Sequence, residues 1–181
     1  QIVNWSVSQQ TVTGVTWNGA ALTLAEAHPS GTDAQNTEIW YKLAPEVGSF
    51  NCVVTWTGGL GGSNVAVTSL FGAKQTTPDS TAEADGVSSN RSLIITTVAP
   101  NCWIYDAMAD VSNAMVASSP QITNLNQDAS TSMGSYKKDA KKGANILEWV
   151  FASNANCIVA AAFAPDEPIA YRNLYLKGGF S

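Results

Sequence analysis

Apolar and polar residues alternate along most of the chain, and turn formers break the alternation every roughly 8 to 15 residues. Period two is the signature of β-strands with one face buried. Residues 2–7 predict a short strand. Residues 11–17 set Val12, Gly14 and Thr16 against Thr13, Val15 and Trp17. Asn18-Gly19 follows, a two-residue hairpin signal because both residues tolerate positive φ, and residues 21–25 are the expected return strand. Residues 28–33 predict a loop. In residues 37–43, Ile39 and Tyr41 face one way and Glu38, Trp40 and Lys42 the other. After a turn at 45–48, Phe50, Cys52, Val54 and Trp56 fall on one face, the clearest half-buried strand of the chain.

Glycines 58, 59, 61 and 62 form a flexible loop without the Gly-Lys-Ser/Thr ending of a phosphate-binding loop. Residues 65–71 predict a strand, 74–86 a long polar connection, and 93–98 and 103–108 two strands joined through Ala99-Pro100-Asn101. The Ser-, Asn- and Gln-rich stretch 112–135 predicts irregular structure, and 146–152 with 157–164 a final pair around 153–156. About nine or ten short strands with no amphipathic helix predict an all-β fold. The expected architecture is an antiparallel two-sheet β-sandwich, jelly-roll-like, over residues 1–165. Pro165 and Pro168 then open a C-terminal extension, 166–181. Its Tyr171, Leu174, Tyr175 and Leu176 make it a candidate arm onto a neighbouring subunit.

Composition narrows the function. The chain has 181 residues, one domain's worth. Only 13% are charged, about half the usual share, which suits secreted, cell-surface and virion proteins. With a net charge of −5, nucleic acid is not an expected partner. The one basic cluster, Lys137, Lys138, Lys141 and Lys142, encloses Asp139 and predicts a solvated loop or short helical turn. The longest apolar run, 157–164, is far below the roughly 20 residues of a membrane helix, so no membrane insertion is expected. The chain opens at Gln1 without a Met, as a processed product or a piece of a longer polypeptide would.

Candidate chemistry is sparse. Each of the three cysteines, Cys52, Cys102 and Cys157, follows an Asn and precedes an apolar run. They open strands in this reading, as buried small residues or as one disulfide with a spare thiol. Their spacing is not that of a zinc site. His28 is the only histidine and has no nucleophile motif around it, so a Ser-His-Asp arrangement is not expected. Glu38 lacks an acidic partner on its own face, as does Glu148, which argues against a glycosidase pair. Asp79, Glu83 and Asp85 in one loop, and Asp106 with Asp110 near another, are weak calcium candidates; no metal and no cofactor is expected. Most of the six tryptophans are core candidates. Trp40 and Trp149 are the candidates for stacking on a sugar ring, with Glu38 and Glu148 beside them to accept hydroxyl hydrogen bonds.

A set of motifs resembles a known group of modules. They are Val12-Thr13-Gly14-Val15-Thr16-Trp17-Asn18-Gly19, Ala21-Leu22-Thr23, Glu38-Ile39-Trp40-Tyr41, and Gly48 with the alternating strand to Trp56. To these add Phe71-Gly72-Ala73-Lys74-Gln75-Thr76-Thr77-Pro78, like that group's Gly-Val-Asp-Gln-Thr-Thr-Pro segment, and the closing stretch from Cys157 to Pro165. Over residues 10–165 the chain resembles jelly-roll or lectin-like β-sandwich modules of large bacterial extracellular proteins and phage structural proteins. The resemblance implies a sandwich with no catalytic apparatus. Those modules have further sequence before their first strand and lack the stretch beyond Pro165, which implies chain ends completed between subunits. The expected function is a non-enzymatic structural or assembly module on a virion, extracellular filament or cell surface. Its partners would be copies of itself or other structural subunits. The alternative is a carbohydrate- or receptor-binding module that takes surface glycans.

Overall fold

The computed structural model describes residues 2–7, 11–29, 35–57, 62–110, 115–126 and 132–166. Among them there is no helix, and every strand pairing is antiparallel, as the period-two pattern predicts. The strands are β1 (Ile2–Val7), β2 (Thr11–Trp17), β3 (Ala20–Ala21), β4 (Thr23–Pro29), β5 (Gln35–Tyr41), β6 (Cys52–Thr57) and β7 (Gly62–Val67). Then come β8 (Ser80–Thr97), β9 (Cys102–Asp110), β10 (Val116–Ala117), β11 (Ile122–Asn126), β12 (Ser132–Ala140) and β13 (Gly143–Phe163). They form three sheets rather than two: a four-stranded sheet β4-β5-β1-β7, a three-stranded sheet β3-β2-β6, and a six-stranded sheet β10-β13-β9-β12-β11 with β8 on β13.

The N-terminal hairpin forms where Asn18-Gly19 places it, with φ of 50° and 75° and Trp17 opposite Ala20. The return strand, however, is split. β3 ends at Ala21, Leu22 turns into the core beside Val15, and β4 begins at Thr23 in the four-stranded sheet. β4 then continues through His28 and Pro29, where a loop was expected. β4 lies at the edge of its sheet, paired with β5, and an edge strand is where a proline such as Pro29 is tolerated.

The largest departure is a long two-stranded ribbon. The predicted connection 74–86 is strand from Ser80 onward, and the predicted final pair around 153–156 is one strand, β13. β8 and β13 pair along their length, from Gly143↔Thr97 to Ala162↔Ser80. Between Val150 and Asn154 the register shifts, so three residues of β13 face one of β8. There Arg91 Nε donates to Asn156 Oδ1 at 2.7 Å and Asn156 Nδ2 to Ser88 Oγ at 3.2 Å. The inward set changes parity across this bend. Leu147, Trp149 and Phe151 before it, and Ile158, Ala160 and Ala162 after it, enter the same core. That core also takes Leu93 and Ile95 of β8, Ile104 and Met108 of β9, and Met133 of β12. The stretch read as irregular, 112–135, supplies β10, β11 and the start of β12, and β10 pairs back onto β13. The sheet thus curls nearly closed around this core.

A second core lies on its outside. Tyr105 and Ala107 of β9 and Val159, Ala161 and Phe163 of β13 meet Ile39 and Tyr41 of β5. β9 and the second half of β13 are therefore buried on both faces, which explains the continuous apolar run 157–164. A third cluster joins the small sheet to β5, with Trp40, Cys52 and Val54 packed against Val15 and Leu22. Lys137 and Lys138 stand on β12, and Lys141 and Lys142 in the turn after it, so the basic cluster is a strand end and not a loop or helical turn.

Candidate functional site

Glu38 and Trp40 share a face of β5, as their i, i+2 spacing requires, but they face the protein and not a ligand. The Trp40 indole donates to Glu38 Oε2 at 2.7 Å, and Asn36 Nδ2 donates to Oε1 at 2.9 Å. Glu38 is 3% exposed. Burial pushes its pKa up, against the hydrogen bonds from Trp40, the Val12 backbone and Asn36. The carboxylate ties β5 to β2 and has its acceptor capacity in use. Glu148 and Trp149 are adjacent in β13 and so point to opposite faces. Trp149 is 0% exposed in the closed core and has no ring face to offer a sugar. Glu148 is outside, accepting from Ser92 Oγ at 3.1 Å.

The acidic candidates lie on strands or strand ends, not in one calcium loop. Asp79 accepts from the backbone N–H groups of Val98 and Ala99 at 2.7 and 3.0 Å, which closes the turn after β8. Glu83 and Asp85, on the outer face of β8, meet His28 of β4: Nδ1 pairs with Glu83, and Nε2 lies 3.5 Å from Asp85 Oδ2. This cluster links two sheets. Among the described residues no group of three His, Cys, Asp or Glu side chains has the geometry to hold a metal ion.

Asp106 and Asp110 are buried in β9. Asp106 Oδ1 accepts from the Ser135 N–H at 2.9 Å, and Oδ2 accepts from Ser135 Oγ at 2.7 Å and Gln121 Nε2 at 3.0 Å. The Trp149 N–H also favours the charged carboxylate but makes no hydrogen bond of good geometry, so Ser135 and Gln121 carry the interaction. Burial outweighs these donors and raises the Asp106 pKa to about 6. Composition and spacing do not mark this network, because its members come from β9, β12 and the turn before β11, which only the closed sheet brings together.

All three cysteines are free, and the fold keeps them apart. Cys52 and Cys102 open β6 and β9 as read, but Cys157 lies within β13 opposite Ala109, near the far end of β9 from Cys102. Burial is the main cause that pushes Cys102 and Cys157 up to about 11, with Asp79 adding to it at Cys102. Native protein treated with a chromogenic disulfide reagent should therefore label Cys52 first, and all three thiols only in denaturant. Rapid labelling of three thiols in the native state would contradict this burial.

Two surface features remain. The first is a cleft of about 370 Å³ at the junction of the three sheets, walled by Trp17, Tyr41, Leu70 and Phe163. Leu43 and Val47 stand on its rim, with Val47 fully exposed, and Phe71 is 97% exposed beside Leu70. Gln75 braces one side, accepting from the Ala44 N–H at 2.6 Å and donating to the Ala73 carbonyl at 2.9 Å. Concave apolar sites of this size are the usual seats of ligands or peptide segments. The second is the outer face of the β8/β13 ribbon. There Ile94 is directly opposite Ile146, and Val150 opposite Val116 of β10. All four are more than half exposed. Glu148 sits between the two pairs, and a groove of about 580 Å³ containing Lys137 and Lys141 borders Ile146 and Glu148. Tyr171, Leu174, Tyr175 and Leu176 lie outside the described residues.

Comparison with protein-family models, curated proteins and solved structures finds no match to this chain.

Proposed function

We propose that the protein is a non-enzymatic assembly module whose contact surface is the outer face of the β8/β13 ribbon. One observation carries the reading: two directly opposed apolar pairs, Ile94 with Ile146 and Val116 with Val150, stand on the water side of the nearly closed sheet. The outward face of such a sheet is ordinarily polar, and a run of β-branched apolar residues there is stabilised by burial against another surface. Lysines at the border give this face the apolar centre and charged rim of a protein contact. The partners are copies of the chain or other structural subunits. The low charge content and the resemblance to modules of extracellular and phage structural proteins support a setting on a virion, filament or cell surface.

The test is the assembly state of the wild type against Ile146→Lys and Val150→Lys, by mass photometry and light scattering. Both side chains are exposed, so the substitutions should leave the fold intact. The wild type is expected to form assemblies that each substitution weakens by about tenfold or more, the penalty of placing a charge within an apolar contact. A wild type that stays monomeric at high concentration, or variants that assemble as it does, would sink the reading.

A further inference from the structure

We propose that the cleft at the junction of the three sheets binds a small organic anion with a flat apolar body. The cleft shares no residue with the apolar pairs of the ribbon face. Its walls are largely aromatic, with Trp17 of β2, Tyr41 of β5 and Phe163 of β13. The protein itself holds these rings in place. Tyr41 meets Phe163 edge to face at 6.2 Å, and Trp17 meets Phe50 edge to face at 6.0 Å. Gly48, with φ of 154°, makes room for Phe50, since a Cβ at 48 would lie 2.8 Å from that ring. The Trp17 indole N–H donates to the Glu46 carbonyl at 3.4 Å. Ala44 has φ of 40°, which alanine seldom adopts, and its N–H donates to Gln75 Oε1 at 2.6 Å. Walls fixed in this way lose little freedom when a ligand enters, which favours binding.

Charge sets the class of ligand. The charged side chains lining the cleft are Lys42, Lys74 and Glu46, two cations against one carboxylate. The cleft is therefore net positive in a chain whose net charge is −5. Among the described residues neither lysine forms a salt bridge. An ammonium beside an apolar wall attracts an anion more strongly than one in open water, because the wall lowers the local dielectric. A ring system can pack on Trp17, Tyr41 and Phe163 while its carboxylate, sulfonate or phosphate meets Lys42 and Lys74. A cation of the same shape would be repelled, and a neutral ligand would leave both lysines without a partner. The cleft volume of about 370 Å³ lies in the range of small-molecule sites.

The test is a fluorescence titration of the native chain with anilinonaphthalene sulfonate, an aromatic anion that brightens in apolar sites. Its uncharged counterpart, phenylnaphthylamine, is the control. The sulfonate is expected to saturate a single site with a Kd on the order of 10 μM. Lys42→Gln and Lys74→Gln together should weaken the sulfonate about tenfold and change the neutral dye by less than about twofold. Val47 stands fully exposed on the rim, so Val47→Glu and Val47→Lys should leave the fold intact. At low salt the glutamate should weaken the sulfonate severalfold and the lysine should tighten it. Ile146→Lys, on the ribbon face, should leave the titration unchanged. The proposal is overturned if the sulfonate shows no saturable binding, or binds the double lysine variant as tightly as the wild type. It is also overturned if both dyes weaken together in that variant, because the lysines would then act by packing and not by charge. Loss of binding in Ile146→Lys would place the dye on the ribbon and overturn it as well.

Discussion

Trp149→Ala is expected to cost about 3–5 kcal/mol, the penalty of emptying an indole-sized space in a close-packed core. Small domains are stable by only about 5–15 kcal/mol, so the variant should sit near the edge of folding. Its urea midpoint should fall by about 2 M. The size follows from place. Trp149 enters the closed core with Leu147 and Phe151 from one half of the ribbon and Ile158 from the other, so it belongs to the core that both halves share. Trp149→Phe, which keeps most of the volume, should cost about 1–2 kcal/mol. A surface ring that stacks on sugar would behave otherwise, leaving stability unchanged while binding is lost. An unchanged midpoint in Trp149→Ala would contradict the closed core itself.

The second large effect is a dependence of stability on pH set by Asp106. Burial raises its pKa from 3.8 to about 6 in the folded protein. The folded chain therefore keeps a proton that the unfolded chain releases as pH rises between those values. Stability from this group is fully present below pH 3.8, falls as pH rises through about 6, and levels off above it. The gap corresponds to about 3 kcal/mol. In Asp106→Asn this contribution to the slope should vanish. That variant should also lose some stability at all pH values, since its amide would set a donor against Gln121 Nε2, which now donates to Oδ2. Denaturation midpoints of both proteins from pH 3.5 to 7.5 check this. Glu38 has a raised pKa of the same sign and cancels in the difference between them. Parallel profiles would show that the carboxylate is better solvated than the closed sheet implies.

Both effects depend on a core that local pattern does not reveal. In β8 the inward positions 82, 84 and 86 are Ala, Ala and Gly, while Thr81, Glu83 and Asp85 face out. The alternation is regular, but its inward side chains are too small to register as apolar, because the opposing half of the ribbon already fills that space with Trp149 and Phe151. In β13 the pattern is strong but changes phase at the bend. Period two on either side of a phase change looks like two strands and a turn, and Ser153-Asn154 has turn composition. Neither stretch carries a local sign of the pairing that makes it strand.

What the sequence determined by itself is local. The all-β class, the Asn18-Gly19 hairpin, the alternation from Cys52 to Trp56 and the shared face of Glu38 and Trp40 all follow from φ preference and the two-residue repeat, which act over a few residues. The same repeat would have placed Trp149 opposite Glu148 and excluded them as one site. Tertiary structure alone decided which face of each strand meets water. It folded the ribbon so that Trp149 and Asp106 are inside and Ile94 and Ile146 outside, set Glu83 and Asp85 against His28, and built a cleft from segments around residues 17, 41, 70 and 163. Those outcomes depend on contacts between residues tens of positions apart, and no short-range preference encodes them.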